Sequence, residues 1–119
     1  MSAGYRQIMS RELPEQLRQG AILVDIRRAQ EWRQTGIVAG SRLLTFYDAE
    51  GKSDPDRWLD DLKRIAPADR ALLLICRSGR RTSAVCEFLS AATNRKQIYN
   101  VTDGILGWLA AGFPVVPWR

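Results

Sequence analysis

The chain contains no histidine. That absence removes Ser-His-Asp and Cys-His catalysis, imidazole general bases and histidine metal ligands together. Any nucleophile here must be activated by something other than imidazole. Cysteine is scarce too, with only Cys76 and Cys86. They show no CxxC spacing, and two cysteines without histidine make a poor zinc site. Neither a metal nor an organic cofactor is expected. No apolar run reaches the ~18 residues of a membrane span. The mixed, polar stretch Met1 to Ser10 has no apolar core of a secretory signal. A membrane partner is therefore not expected, and a cytoplasmic location is, where both thiols stay reduced. No Lys/Arg block with interleaved aromatics appears, which argues against nucleic acid. Internal repeats and low-complexity segments are also missing.

What is present suits one compact unit. The 119 residues, 45% of them apolar, suffice for a single core and show no sign of disorder. Residues 1–119 are read as one domain. The formal charge of +5 has two readings, a solubilising surface or an attraction for small anions.

Strand and helix signals alternate. Residues 10–19 read as a short helix, with Ser10 as N-cap, Pro14 in the first turn and Gly20 as stop. Residues 21–26 (AILVDI) read as a buried strand, and 28–34 as a helical turn ended by Gly36. A second strand is expected over 42–46. Asp54 and Pro55 look like an N-cap and first helical residue. Trp58, Leu59, Leu62, Ile65 and Ala66 then share one helix face until Pro67. Residues 71–75 (ALLLI) are the strongest strand, continuously apolar as strands covered on both faces are. From Arg81, residues Val85, Phe88, Leu89 and Ala92 repeat at helical spacing. A strand over 97–101 and a helix over 104–111, with Ile105, Trp108 and Leu109 inward, complete the pattern. This order predicts an α/β domain with a mainly parallel central sheet flanked by helices on both faces. In such sheets function sits beyond the carboxyl ends of the strands, and the strongest strand ends on Cys76.

The segment Cys76-Arg77-Ser78-Gly79-Arg80-Arg81-Thr82 joins that strand to a helix. A tight turn of this kind aims backbone N–H groups at one point, and the helix N-terminus adds partial positive charge. Gly79 supplies backbone freedom, and Arg77, Arg80 and Arg81 add full charge. Such surroundings favour a thiolate, the nucleophilic form. Cys76 at the mouth of the loop is thus the candidate nucleophile. Cys86 lies beside the apolar face of the next helix and reads as packing, with a resolving thiol as the alternative.

These residues resemble the rhodanese family, whose loop cysteine takes up sulfane sulfur as a persulfide. The CRSGRRT run is similar to its active-site loop. Val24-Asp25-Ile26-Arg27 with Glu31-Trp32 resembles its D-x-R…E-[WY] segment. Residues Gly36 to Ser41 resemble its G-H-I-P-G-A segment, although the histidine is absent and Ala39 replaces the proline. Gly104-Ile105-Leu106-Gly107-Trp108, then Gly112-Phe113-Pro114, resembles its G-x-x-G-W…G-x-P ending, with Asp103 in place of a first glycine.

The resemblance spans roughly residues 8–117, the core of the domain, and implies a rhodanese-like fold and a thiosulfate sulfurtransferase. A small anionic donor such as thiosulfate would load Cys76, and cyanide or a thiol, a protein thiol included, would accept the sulfur. Arg77, Ser78, Gly79, Arg80 and Arg81 would bind the donor and the persulfide. Asp25, Arg27 and Thr82 would support the loop, with an Asp25 contact to the loop arginines weighed against an ordinary ion pair. Two other readings stand at this point. One is a sulfur-carrier or regulatory module with little turnover. The other is a Cys-based phosphatase or arsenate reductase, disfavoured because those loops run Cys-x5-Arg, whereas Arg81 follows Cys76 after four residues.

Overall fold

A computed structural model describes residues 4–119. Five parallel strands form one sheet in the order β1-β5-β4-β2-β3. They are β1 (Arg6–Ile8), β2 (Ile22–Asp25), β3 (Arg42–Leu43), β4 (Leu72–Ile75) and β5 (Ile98–Val101). The helices are α1 (Leu13–Arg18), α2 (Ala29–Thr35), α3 (Pro55–Ile65), α4 (Arg80–Ala92) and α5 (Gly104–Ala110). The domain is α/β, as the alternation of patterns predicts.

The central strands β2 and β4 are buried at every position. Alternate side chains serve two cores. Ile22, Val24, Leu72 and Leu74 pack with Trp58 and Leu62 of α3 and with Val85, Cys86 and Leu89 of α4. Leu23, Leu73 and Ile75 pack on the other face with Leu13 of α1 and with Ile105 and Trp108 of α5. This two-sided burial explains why both strands read as continuous apolar runs. Asp54 caps α3 by accepting the Arg57 N–H at 3.2 Å, with Pro55 at the first helical position. Such a cap contributes about 1 kcal/mol.

The structure departs from the sequence reading in several places. Strand β1 lies in the stretch read only as mixed and polar. Its three residues carry one buried side chain, Ile8, too short a pattern to show period-two alternation. The first helix is split into a 3-10 turn, Ser10–Glu12, and α1. Ser10 is not a helix cap. It is buried, and its N–H and hydroxyl both donate to the Asp103 carboxylate at 2.8 and 2.7 Å. The second strand stops at Leu43, although the Leu44 and Phe46 N–H groups still bond to β2-side carbonyls, Asp25 and Ile26. Ala92 and Leu109 face solvent rather than the core. Short α5 buries only Gly104, Ile105 and Trp108, which leaves Leu109 outside that stripe. Among the described residues, no helix is long and apolar enough to cross a membrane.

Because all strands are parallel, their carboxyl ends lie along one edge of the sheet. Cys76, Arg27, Thr102 and the 3-10 turn follow β4, β2, β5 and β1 at that edge.

Candidate active site

Strand β4 delivers Cys76 to the base of a loop that closes on the N-terminus of α4. Gly79 turns the chain with φ +85°, a left-handed conformation that favours glycine. A side chain there would also collide with the Thr102 carbonyl, since an added Cβ would sit 2.3 Å from its oxygen. The turn aims the Gly79 N–H at the Cys76 sulfur, 3.2 Å away. The Thr82 hydroxyl lies 3.4 Å from the same sulfur. Cys76 is not at the mouth of the loop. It is only 1% exposed and forms its floor, because it directly follows a doubly covered strand and still has neighbours on both faces.

The loop arginines divide into two kinds. Arg77 and Arg80 are exposed and form no ion pair among the described residues. Arg81 is held by Glu31 of α2 in a two-pronged pair, Nη1 to Oε1 at 2.8 Å and Nη2 to Oε2 at 2.7 Å. Glu31 also accepts the Arg28 N–H at the start of its own helix. Burial alone would raise the Glu31 carboxyl. The bonds from Arg81 and the Arg28 N–H, with the charges of Arg81 and Arg27, outweigh it and hold Glu31 below the usual carboxylate range. Conversely, the Glu31 bond raises Arg81 further above its ordinary value, against the opposing effect of burial.

Asp25 does not hydrogen-bond the loop arginines. It pairs with Arg27 two residues on, through Nε at 3.0 Å and Nη2 at 2.9 Å, both side chains being 1% exposed. Arg27 also donates to the Thr35 hydroxyl and the Gly36 carbonyl, tying β2 to the end of α2. The two charges satisfy each other because the edge beyond β2 is sealed from water. Removing one partner of such a buried pair costs about 3–5 kcal/mol.

Two site residues escaped the sequence reading. Glu31 was visible only as part of the E-W motif. Its grip on Arg81, fifty residues away, has no local signature. Asn100 of β5 is buried, and its amide donates to the Gly79 carbonyl at 3.2 Å and to Gln7 at 3.0 Å. Its oxygen accepts the Thr82 hydroxyl. The signal was a polar residue within an apolar strand, which demands a partner once buried.

The departure Asp103 also has a place. Its φ of −96° needs no glycine, and its carboxylate anchors Ser10. Gly104 follows with φ +59° and brings α5 against the loop. There the Ile105 and Leu106 N–H groups bond to the Cys76 and Arg77 carbonyls at 2.9 and 3.2 Å.

Two grooves flank the loop. One, of about 410 Å³, is lined by Arg28, Glu31, Tyr47, Asp48 and Arg81 among others. The other, of about 590 Å³, is lined by Gln7, Ser78, Gly79, Arg80, Ser83, Asn100 and Thr102. Chemically the site offers one sulfur nucleophile, one backbone N–H directed at it and, among the described residues, two cations outside any ion pair. Among the described residues, no cluster of three or more His, Cys, Asp or Glu side chains is placed to hold a metal.

Comparisons with known proteins agree with this geometry. The family model for the Rhodanese-like domain matches residues 9–111. The uncharacterized protein RP600 of Rickettsia prowazekii is 32% identical over 94 residues, covering 76% of this chain and 74% of that protein. The crystal structure of Rv0390 from M. tuberculosis is similar with a TM-score of 0.76 and 28% identity, over 96% of each chain. A rhodanese-related protein from Thermoplasma volcanium follows at 0.69 and 27%, over 94% of this chain and 98% of that one. With its sheet, its cysteine loop and a family match across most of its length, the chain belongs to the rhodanese-like domain family.

Proposed function

We propose that the protein is a sulfurtransferase that carries sulfane sulfur as a persulfide on Cys76. The observation that carries this reading is the convergence on one sulfur of the Gly79 N–H, the Thr82 hydroxyl and the N-terminus of α4. The Gly79 N–H and the helix N-terminus stabilise negative charge on sulfur without imidazole, and the Thr82 hydroxyl lies within reach of it. Membership of the family supports a sulfur-transfer or related cysteine-based role.

Two displacements make up the reaction. The Cys76 thiolate attacks the outer sulfur of thiosulfate or a similar donor. The S–S bond of the donor breaks, and sulfite leaves with the bonding pair. A thiophilic acceptor, either cyanide or a thiol, then takes the outer sulfur and regenerates the thiolate. Arg77 and Arg80 attract and hold the anionic donor, since among the described residues neither is engaged by an acid. Arg81, neutralised by Glu31, instead braces the first turn of α4. Arg27 and Asp25 brace the neighbouring strand end. A reducing cytoplasm keeps Cys76 free between turnovers.

The loop favours sulfur over phosphate. With four residues between Cys76 and Arg81 it is one N–H shorter than a Cys-x5-Arg loop, and its last arginine is already bound to a carboxylate.

The test is mass measurement after incubation with thiosulfate. The wild-type chain is expected to gain the mass of one sulfur atom, located on Cys76. Cys76→Ser loses that gain and Cys86→Ser keeps it. Sulfur uptake by the Cys76→Ser protein would refute the reading. Continuous sulfite release in the presence of cyanide marks a catalyst, and a single stoichiometric burst marks a carrier.

A further inference from the structure

The buried chain Asn100–Thr82–Cys76, which exposed Gln7 joins from β1, carries more than loop support. Its hydrogen bonds have a forced direction. The Gly79 carbonyl can only accept, so the Asn100 amide nitrogen must face it, at 3.2 Å. The Asn100 oxygen then faces Thr82 and can only accept, so the Thr82 hydroxyl must donate to it. A threonine hydroxyl has one proton. With that proton committed to Asn100, the hydroxyl oxygen 3.4 Å from Cys76 is left as an acceptor. It suits a thiol that donates its S–H. It does not suit a sulfur that carries negative charge, which needs donors.

We propose that Asn100 is a positioning residue for the reactive sulfur: its amide oxygen holds the Thr82 proton away from Cys76. The hydroxyl turns toward the sulfur only when the sulfur is anionic. This inference rests on Cys76 being the reactive thiol. When the thiol ionises, its proton leaves to solvent. The Thr82 O–H then swings from Asn100 to the sulfur and joins the Gly79 N–H as a second donor. Asn100 and the sulfur anion thus compete for one proton. The competition moderates the stability of the charged sulfur, and so keeps it reactive toward the next partner. In the loading step the Cys76 thiolate bonds to the outer sulfur of thiosulfate as sulfite departs, and one negative charge remains on the new terminal sulfur.

Other charged and titratable groups also bear on Cys76. Arg81 and Cys86 act on it from α4, with Glu31 of α2 and Asp25 of β2 behind Arg81. Arg77 and Arg80 flank it within the loop. None of these is altered by a change at Asn100 or Thr82.

The test is the pH midpoint of Cys76 alkylation by iodoacetamide, located by mass, in wild type, Asn100→Leu, Thr82→Val and the double variant. Asn100→Leu frees the Thr82 proton for the sulfur, so the midpoint falls. A fall of half a unit to one unit means about a three- to tenfold faster alkylation at fixed pH below the midpoint. Thr82→Val removes the donor, so the midpoint rises. In the Thr82→Val background Asn100→Leu has no further effect, because Asn100 acts through that hydroxyl. An unchanged midpoint in Asn100→Leu, or the same shift with and without Thr82, would overturn the inference. The second result would make Asn100 a clamp on Gly79 alone. Should Asn100→Leu not fold, the pair Thr82→Ser and Thr82→Val decides. Serine restores the wild-type midpoint and valine does not, and equal midpoints in the two refute the competition. Alkylation needs no sulfur donor. Loss of sulfur uptake with this alkylation pattern intact therefore counts against the sulfur reading and not against the role of Asn100.

Discussion

Replacing Gly104 with alanine probes how α5 holds the cysteine loop. Gly104 has φ +59°, and an added Cβ would lie 2.3 Å from the Arg77 carbonyl oxygen and 2.7 Å from that of Cys76. Both contacts are backbone, so no side chain can swing away. Relief requires α5 and the loop to part, which breaks the Ile105 and Leu106 N–H bonds to those same carbonyls. Left-handed backbone costs a non-glycine residue about 1 kcal/mol, and each lost bond about 1 kcal/mol. The sum is about 3 kcal/mol, which for a domain of this size lowers Tm by about 10–15 °C. Gly51→Ala is the control. Its φ is +79°, but nothing lies within 4 Å of an added Cβ, so only the backbone cost of about 1 kcal/mol applies. Thermal and urea unfolding followed by circular dichroism would measure both. Sulfur uptake by Gly104→Ala is expected to slow by about tenfold or more as the loop shifts. If Gly104→Ala lost no more stability than Gly51→Ala, the claimed contact between α5 and the loop would be wrong.

Two further outcomes follow from the site. Glu31 is held below its unfolded value, so its stabilisation is full above the ordinary carboxylate pKa of about 4.3 and is lost as pH falls through the lower folded value. Glu31→Gln should therefore cost about 1–2 kcal/mol at pH 7, and urea unfolding at stepped pH should show a smaller loss on acidification than wild type. A variant with the wild-type acid profile would remove Glu31 from that role. Cys86 is fully buried, and burial first, then the charge of Cys76, pushes its thiol up to about 12. At pH 8 iodoacetamide should label only Cys76 in the native protein and reach Cys86 after denaturation. Cys86→Ser should keep sulfur uptake while losing about 1–3 kcal/mol of stability, since its hydroxyl is buried among apolar groups. Rapid native labelling of Cys86 would revive it as a resolving thiol.

The amino-acid sequence by itself determined the elements that rest on local pattern. The apolar run 71–75, the cap-and-proline pair Asp54-Pro55 and the amphipathic repeat beginning near Arg81 each bury a face that neighbours in sequence define. The cysteine loop was legible for the same reason, because strand, turn and helix follow one another without interruption. Short segments were not. Three residues of β1 and two of β3 owe their strand form to pairing with β5 and β2, and a pattern that brief carries no period. The depth of Cys76 was hidden as well, since burial depends on what covers a strand end. Only the tertiary structure decided how the loop is held. It brought Glu31 to Arg81, Asn100 to Thr82, Ser10 to Asp103 and α5 to the carbonyls of Cys76 and Arg77. Each of these joins groups far apart in the chain. Their partners are chosen by the packing of helices on a parallel sheet, and no local spacing records that choice.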